Sequence, residues 1–239
     1  MNEVAFIDLG NIEYGTAWDL QESYMKKGLD IKSARFHNEP LGEQEIKHYL
    51  FVCQHPHVYT LGKSGFMENL LINDERMKDL HVTFYKTNRG GDITYHGPGQ
   101  MVAYPVLDLE QYFTDLGRYM RSLEEAIILT LKEYGIESGR LKGSTGVWLD
   151  ADNANARKIC AMGVKSSRWM TIHGLALNIN TDLQFFNYIV PCGIVDKGVT
   201  SMAKELGKVI DEEEVKKIFV EKFAEVFESE ILTGQIVAA

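Results

Sequence analysis

The 239-residue sequence lacks the features that would assign it to a membrane or to a disulfide-stabilised scaffold. Its three cysteines, Cys53, Cys160 and Cys192, are an odd number at scattered positions, which argues against a disulfide framework or a zinc ribbon and for a reducing compartment. No apolar run approaches the ~20 residues that cross a bilayer. Residues 1–8 carry no basic region before their apolar stretch, unlike a signal peptide. We therefore expect a cytoplasmic protein with no membrane partner.

Common nucleotide-binding and metal-binding motifs are also missing. The sequence has no G-x-x-x-x-G-K-[ST] motif, and the glycines at 90, 91, 97 and 99 do not form G-x-G-x-x-G. H-E-x-x-H is absent, and His55 and His57 lie two apart across a proline, which is not zinc-ligand spacing. The net charge of −9 disfavours a nucleic-acid partner. We expect no cofactor, no metal and no nucleic acid.

The composition is that of one globular domain. Apolar residues make up 45% and charged residues 25% of the chain, and there is no linker, low-complexity segment or repeat. We therefore treat residues 1–239 as a single domain. Strand signals dominate the middle and helix signals lie towards both ends, which predicts an α/β fold of the α+β type, a mixed sheet flanked by helices.

The periodicity of apolar residues predicts the main elements. Gly135 lies where a C-terminal cap should follow the second helix, and Asp211 with Glu214 resembles a capping box before the last one. Pro105 weakens one strand or places it at an edge or a bulge. The predicted strands are residues 4–9, 49–53, 82–85, 101–107, 147–149, 158–164 and 172–179, and the predicted helices are residues 14–27, 116–134 and a final one after Asp211.

The segment Arg89–Gln100 carries the densest functional signal. Four glycines lie among an arginine, a threonine, a histidine and a glutamine, between two strand-like segments. Glycine lets a backbone turn tightly or approach a ligand closely, so the pattern predicts a binding loop on a rigid scaffold.

Three thiols compete as nucleophiles. Cys53 ends an apolar strand and is predicted to be buried and inert, whereas Cys192 lies between Pro191 and Gly193, at a turn where a thiol can be exposed. A thiol with a pKa of about 8.5 needs a nearby cation or base. Strand alternation puts Lys158 and Cys160 on one face with the residue between them opposite. From the residues alone, Lys158 can pair with Cys160 or with Cys192; His96 and His173 are other possible bases.

Several blocks together resemble the lipoyl(octanoyl) transferases. Arg89-Gly90-Gly91 with Thr94-Tyr95-His96 and Gly99-Gln100 resembles the signature of that family. The other matching blocks follow in order, from about residue 50 to 205. They are 54–56 with 59–62, 145–148, 157–159, 163–164, 173–178 and 191–193. Two positions depart from the family pattern: Gln54 stands where the family usually has glutamate, and Cys160 stands where many members have alanine.

The resemblance implies a fold like the catalytic domain of biotin and lipoate protein ligases, and a dyad of Cys192 and Lys158. It implies transfer of an octanoyl group from acyl carrier protein to a lysine of a lipoyl domain through an acyl-cysteine thioester. The acceptors would be the lipoyl domains of 2-oxoacid dehydrogenases and the glycine cleavage H protein. The substrate-binding residues are expected to be Arg89, Gly90, Gly91, Asp92, Thr94, Tyr95, His96, Gly97, Ala161, Met162, Gly163, His173, Gly174, Leu175 and Ala176.

Charge patterning adds a prediction about docking. Residues 137–170 contain six basic and three acidic side chains, although the chain as a whole is acidic. Because carrier proteins and lipoyl domains are typically acidic, like charges would repel at long range. We expect Arg140, Lys142, Lys165 and Arg168 to form a basic docking patch near the site.

Two rival functions fit part of the pattern. An ATP-dependent lipoate or biotin ligase on the same fold would adenylate a free acid and would not need Cys192. A non-catalytic carrier-binding protein would have inert thiols and would form no acyl adduct.

Overall fold

Residues 1–40, 45–190 and 197–233 are described by the computed structural model, and they form two sheets and several helices. The helices are α1 (Tyr14–His37), α2 (Asp74–Asp79), α3 (Leu116–Glu133), α4 (Met202–Leu206) and α5 (Glu212–Val226). The strands are β1 (Asn2–Asn11), β2 (His48–Gln54), β3 (Val58–Leu61), β4 (Thr83–Lys86), β5 (Ile93–His96), β6 (Gln100–Val106), β7 (Val147–Leu149), β8 (Arg157–Ser167), β9 (Met170–Asn178), β10 (Gly198–Val199) and β11 (Ser229–Thr233).

The larger sheet is mixed, and its strands run in the order β10-β8-β9-β6-β2-β1-β11, with β7 paired to β8. Neighbours β2–β6, β6–β9 and β8–β9 are antiparallel, whereas β1 is parallel to both β2 and β11. The smaller sheet has the order β4-β3-β5. This arrangement confirms the predicted mixed sheet flanked by helices.

Helices cover both faces of the larger sheet. On one face, buried residues of α3 and α5 such as Leu123 and Phe219 share a core with Leu177 of β9. On the other face, Ala17 and Met25 of α1 share a second core with strand residues of β2, β6 and β9. The smaller sheet has a third core of its own. Among the described residues, no helix is both long and apolar enough to cross a membrane.

Helix α1 is longer than the sequence predicts. The predicted end at residue 27 is wrong, because the helix continues for ten residues to His37. Gly28, which follows the predicted end, does not cap the helix. It packs against Met170, because a Cβ at this position would come within 2.6 Å of the Met170 side chain. The left-handed cap is Asn38, with φ 55°. A glycine is therefore needed at position 28 because α1 and β9 approach each other closely.

The other predicted helix ends are confirmed. Helix α3 ends at Glu133, and Gly135 beyond it has φ +70°, the left-handed conformation that follows many helices. Asp211 caps α5 by accepting hydrogen bonds from the backbone amides of Glu213 and Glu214.

Strand β6, which contains Pro105, is central, so its placement at an edge is wrong. The pairing of β6 with β9 runs to Ala103 and Leu175, and the Thr171 amide bonds to the Leu107 carbonyl at 2.9 Å beyond the proline. Pro105 lies in the gap between these contacts. The β6–β9 hydrogen-bond ladder is interrupted at Pro105, so the missing N–H of proline breaks no hydrogen bond there. This agrees with the prediction that Pro105 could lie at a bulge.

The glycine-rich segment is only partly a loop. Residues 93–96 form β5, which pairs with β3 in the smaller sheet, so Thr94 and His96 alternate with Ile93 and Tyr95 on its two faces. The turns of the segment lie on either side of this strand. The positions of its residues are thus determined partly by hydrogen bonding within the smaller sheet and not by loop contacts alone.

Candidate active site

A cavity lies between the α1 face of the larger sheet and the segment 89–96. It has about 470 Å³ of empty volume, which includes the open solvent at its mouth. Its wall contains apolar, aromatic and polar side chains. The residues around it are Tyr14, Arg89, Gly91, Asp92, Thr94, His96, Val102, Tyr104, Ala161, Met162, Gly163, His173, Gly174, Leu175 and Ala176.

Small residues on β8 and β9 make room for the cavity. Ala161 is paired with Ala176 and Gly163 with Gly174, and one residue pair separates the two rows. A Cβ at Gly163 would approach the Gly90 carbonyl oxygen to 2.7 Å, so the glycine-rich segment can lie close to this strand only where β8 has no side chain.

Arg89 fixes the segment to the smaller sheet. Its side chain is 7% exposed and donates to the carbonyl of Thr60 at 2.6 Å, to the hydroxyl of Thr60 at 2.9 Å and to the carbonyl of Gly90 at 3.0 Å. Asp92 accepts hydrogen bonds from Asn69 Nδ2 at 2.5 Å and from the Ile93 amide at 2.6 Å. Charged side chains thus hold this wall of the cavity in one conformation.

His96 is a neutral, oriented imidazole. Burial and the neighbouring His55 lower its pKa from 6.5 to about 3. Gln100 donates its amide hydrogens to the Tyr95 carbonyl and to Asn178 Oδ1, so its Oε1 accepts from Nδ1–H of His96 at 2.8 Å. This leaves Nε2 of His96 as an acceptor, 3.4 Å from the Thr60 hydroxyl.

Lys158 lies on β8 beyond the floor of the cavity. Its Nζ is 4.7 Å from the centre of the Trp148 ring, a cation–π contact with a residue that is 2% exposed. The register of β7 against β8 shifts between Val147 and Trp148, and both Ile159 and Cys160 pack in the α3–α5 core. The expectation that Ile159 lies opposite Cys160 is therefore wrong, because a β-bulge interrupts the alternation.

Cys53 and Cys160 are both buried free thiols. Burial raises the pKa of each thiol above its ordinary value, because the charged thiolate is poorly solvated in the core. Neither is in the reactive form that a nucleophile needs. Cys192 lies outside the described residues.

The two flanks of the segment 191–196 lie near the cavity and near Lys158. On one flank, the Val190 amide donates to the Asn69 carbonyl at 2.8 Å, and Asn69 also bonds to the cavity residue Asp92. On the other flank, Val199 of β10 is paired with Lys158, and the Thr200 amide donates to the Lys158 carbonyl at 2.9 Å.

Most of the predicted substrate-binding residues line the cavity, and three do not. Gly90 bonds through its amide to the Val164 carbonyl, beside the cavity. Tyr95 lies on the other face of β5 and donates to His57 or accepts from it at 2.7 Å, and Gly97 packs against the Tyr95 hydroxyl. The residues that sequence reasoning missed are Tyr14, Val102 and Tyr104. Tyr104 lies in the apolar strand after the glycine-rich segment, where alternation could have indicated it; no local signal indicated Tyr14.

The predicted basic patch is wrong as one surface. Arg140 bonds to Glu124 and Glu125 of α3, on one face of the larger sheet, and Lys165 bonds to Glu22 of α1, on the other face. These carboxylates offset the two positive charges. Among the described residues, no cluster of His, Cys, Asp and Glu could hold a metal ion.

Comparison with known sequences gives consistent results. A family model described as the lipoyl protein ligase A/B catalytic domain matches residues 13–224. An octanoyltransferase of Flavobacterium johnsoniae is 54% identical over 226 residues, which covers 94% of this chain and 97% of that protein. An octanoyltransferase of Christiangramia forsetii is 54% identical over 231 residues, which covers 96% and 97%.

Solved structures share the fold. A putative lipoate protein ligase from T. acidophilum superposes with a TM-score of 0.67 at 15% identity, covering 98% of this chain and 89% of that one. A lipoate-protein ligase A bound with ATP gives 0.67 at 15%, covering 99% and 89%. Biotin protein ligase from Aquifex aeolicus in complex with biotin and ATP gives 0.53 at 14%, covering 94% and 70%. The expected likeness to this catalytic fold is confirmed.

The sequence relatives show that the chain is an acyltransferase, and the solved structures show that it has the fold of the lipoate and biotin ligases. It belongs to the lipoyl protein ligase A/B catalytic domain family, whose model spans most of its length.

Proposed function

We propose that the chain transfers an octanoyl group from acyl carrier protein to a lysine of a lipoyl domain, with Cys192 as nucleophile and Lys158 as its acid–base partner. The acceptors in this proposal are the lipoyl domains of 2-oxoacid dehydrogenases and the glycine cleavage H protein. The octanoyltransferase relatives at 54% identity support the reaction. The two buried free thiols, Cys53 and Cys160, support a reducing compartment such as the cytoplasm.

One observation carries the assignment of the dyad: the chain on both sides of residues 191–196 is anchored at the site. Val190 is tied through Asn69 to the cavity residue Asp92, and Val199 is paired with Lys158. The burial of Cys160 supports Cys192 rather than Cys160 as the partner of Lys158, because a thiolate at Cys160 would be desolvated in the core.

The reaction follows in two transfers. Lys158 takes the proton of Cys192, and the thiolate sulfur attacks the carbonyl carbon of the octanoyl thioester. The bond from that carbon to the carrier sulfur breaks, and the carrier thiolate takes the proton from Lys158. No ATP is required, because one thioester replaces another.

The second transfer forms the amide. The acceptor lysine of the lipoyl domain attacks the acyl-cysteine as the neutral amine, after its ammonium proton has passed to solvent, and neutral Lys158 accepts the proton that the attacking nitrogen loses as the amide forms. The carbon–sulfur bond to Cys192 breaks, and the thiolate recovers a proton from Lys158. The apolar part of the cavity wall holds the methylenes, each of which contributes about 0.8 kcal/mol when buried.

Intact-mass measurement tests the covalent step. After mixing with octanoyl carrier protein, the wild type and the matched control Cys160→Ser are expected to gain about 126 Da, the mass of one octanoyl group replacing a hydrogen. Cys192→Ser is expected to gain no thioester of this kind. An adduct that survives in Cys192→Ser and is lost in Cys160→Ser would overturn the assignment.

A second measurement separates the transferase from an ATP-dependent ligase on the same fold. Cys192→Ala is expected to be inactive with ATP and free octanoate, because the proposed route needs the thiol. Lipoyl-domain acylation by this variant under those conditions would contradict the proposal.

A further inference from the structure

Glu124 of α3 is a fully buried carboxylate that no step of the proposed reaction uses. Its side chain is 0% exposed. One oxygen, Oε2, accepts from Arg121 Nη1 at 2.6 Å and from Arg140 Nε at 3.0 Å. The other oxygen, Oε1, accepts from the backbone amide of Gly146 at 2.9 Å. A charge is costly to bury unless it is paired in this way, so its place in the fold calls for an explanation.

These contacts fix the segment that joins α3 to β7. At its base, the backbones of Gly139 and Trp148 exchange two hydrogen bonds, of 2.8 and 2.9 Å. Glu124 holds Arg140 at the start of the enclosed loop and Gly146 near its end. One side chain on α3 therefore determines where the backbone of Gly146 lies relative to β8.

Gly146 lies directly against the lysine of the proposed dyad. A Cβ at Gly146 would come within 3.5 Å of Lys158 Cε and within 2.5 Å of the Cys160 carbonyl oxygen, so its backbone packs on β8 with no room for a side chain. Two residues further on, the ring of Trp148 lies 4.7 Å from Lys158 Nζ. This segment thus forms a surface on which the side chain of Lys158 lies.

We propose that Glu124 is a positioning residue for Lys158. By holding the amide of Gly146, it orients the lysine side chain for proton exchange with Cys192. The proposal rests on the proposed function, in which Lys158 is the acid–base partner of Cys192. Proton transfer requires the two atoms to lie within hydrogen-bond reach, so a displaced lysine slows acylation without weakening the binding of the carrier protein.

Glu124→Gln keeps the size of the side chain but replaces two acceptor oxygens by one. The amide can accept from the arginines or from Gly146, and its NH2 group then faces a donor on the other side. The rate constant for acylation is measured by intact mass at several concentrations of octanoyl carrier protein. At saturation it is expected to fall roughly ten- to hundredfold, while the half-saturating carrier concentration stays within about twofold of the wild-type value.

This readout does not depend on the folded fraction, because unfolded molecules lower the amplitude of acylation and not its rate constant. A wild-type rate constant in Glu124→Gln would overturn the proposal. So would a loss that arises only from weaker carrier binding.

A double-mutant cycle with Lys158→Ala separates positioning from general structural damage. Lys158→Ala removes the group through which Glu124 is proposed to act. Adding Glu124→Gln to it is therefore expected to change the remaining acylation rate constant by less than about twofold. A merely structural effect of Glu124→Gln would persist in full in the Lys158→Ala background, and that result would contradict the proposal.

Asp108→Asn is the matched control. Asp108 is another buried carboxylate, with a side chain that is 4% exposed, and it accepts from Lys32 Nζ at 2.5 Å and from the amide of Glu110 at 3.2 Å. It is bridged to Met170 at the far end of the β8–β9 hairpin. Its substitution is expected to leave the acylation rate constant at the wild-type value, and equal losses in the two variants would sink the positioning role.

Failure of this proposal is distinguishable from failure of the proposed function. If Lys158→Ala acylates at the wild-type rate, the proposed dyad is wrong, and the positioning role is wrong with it. If Lys158→Ala is slow while Glu124→Gln is not, the dyad stands and only the role of Glu124 is wrong.

Discussion

Close backbone contacts at single glycines determine the shape of the cavity. The carbonyl of Gly90 lies over Gly163, where a Cβ would approach it to 2.7 Å, and the Gly90 amide bonds to the Val164 carbonyl at 2.9 Å. The same segment contains Arg89, whose side chain is anchored on Thr60. A displacement at Gly163 would therefore move one wall of the site relative to the other.

Gly163→Ala is expected to lower kcat/KM for octanoyl transfer roughly ten- to hundredfold, because misplacement of a wall by a fraction of an ångström disturbs the bound geometry. The same change is expected to cost about 1–3 kcal/mol of unfolding free energy, as overpacking does. Steady-state kinetics and urea unfolding check the two effects.

Gly139→Ala is the matched control, because nothing lies within 4 Å of its added Cβ. It should leave kinetics and stability near the wild-type values. Equal behaviour of the two variants would show that the contact at Gly163 is unimportant.

At the residue scale, the sequence identified most of the cavity wall but not its orientation. Thr94 and His96 line the cavity, whereas Tyr95 between them packs in the core of the smaller sheet. The four glycines among residues 89–100 predict a loop, to which strand alternation does not apply. The strand has four residues and is paired with β3, and a pattern this short is difficult to identify in a glycine-rich segment.

The hairpin between β8 and β9 is the element whose geometry is least expected from its residues. Its two-residue turn consists of Arg168 and Trp169, with φ +45° and +67°, between the paired residues Ser167 and Met170. Such turns favour Asn-Gly, because both positions need positive φ. The turn is held by Lys32 Nζ, which donates to the Arg168 carbonyl at 2.8 Å.

Arg168→Asn is expected to stabilise the protein by about 1 kcal/mol, because asparagine tolerates the left-handed region better than arginine does. Arg168→Gln removes the same charge without the conformational gain and should give no stabilisation. Urea unfolding of the two variants decides the question. A gain in both would attribute the effect to charge, contrary to the prediction.

Local sequence signals predict the ends of helices better than they predict where a strand is interrupted or bulged. Asp211 and Gly135 cap their helices as expected, because capping is a local hydrogen-bond problem. The bulge at Ile159 and the interruption at Pro105 each depend on the neighbouring strand, so the residues of β8 and β6 alone do not determine them. The role of Gly28 likewise depends on a residue far away in the sequence, because the side chain it packs against is that of Met170.

Buried neutral histidines couple the stability of the whole molecule to pH. Desolvation lowers the pKa of His48 to about 4 and those of His96 and His173 to about 3. Below pH 6.5 the unfolded chain binds protons that the folded chain does not, so the free energy of unfolding falls as the pH falls towards 4. The contribution of each histidine is fully present above pH 6.5.

Between pH 6.5 and 5, the loss is expected to be about 2 kcal/mol for each of the three histidines. His48→Gln removes one of these groups, so its stability should depend less steeply on pH than that of the wild type. Urea unfolding at pH 8, 6.5 and 5 measures the slopes, and the values at pH 8 isolate effects unrelated to protonation. Identical slopes in the two proteins would contradict the assignment to His48.

The sequence by itself determined the family and most residues of the cavity wall, because blocks such as 89–100 and 173–178 keep their residue types in order along the chain. Only the tertiary structure placed the segment 89–96 across the cavity from 161–176 and buried Cys160 in the core. Both depend on strand pairing and on helix packing between residues far apart in the chain. Local propensity carries no information about such contacts, because a residue's burial and partners are set by whichever element packs against it.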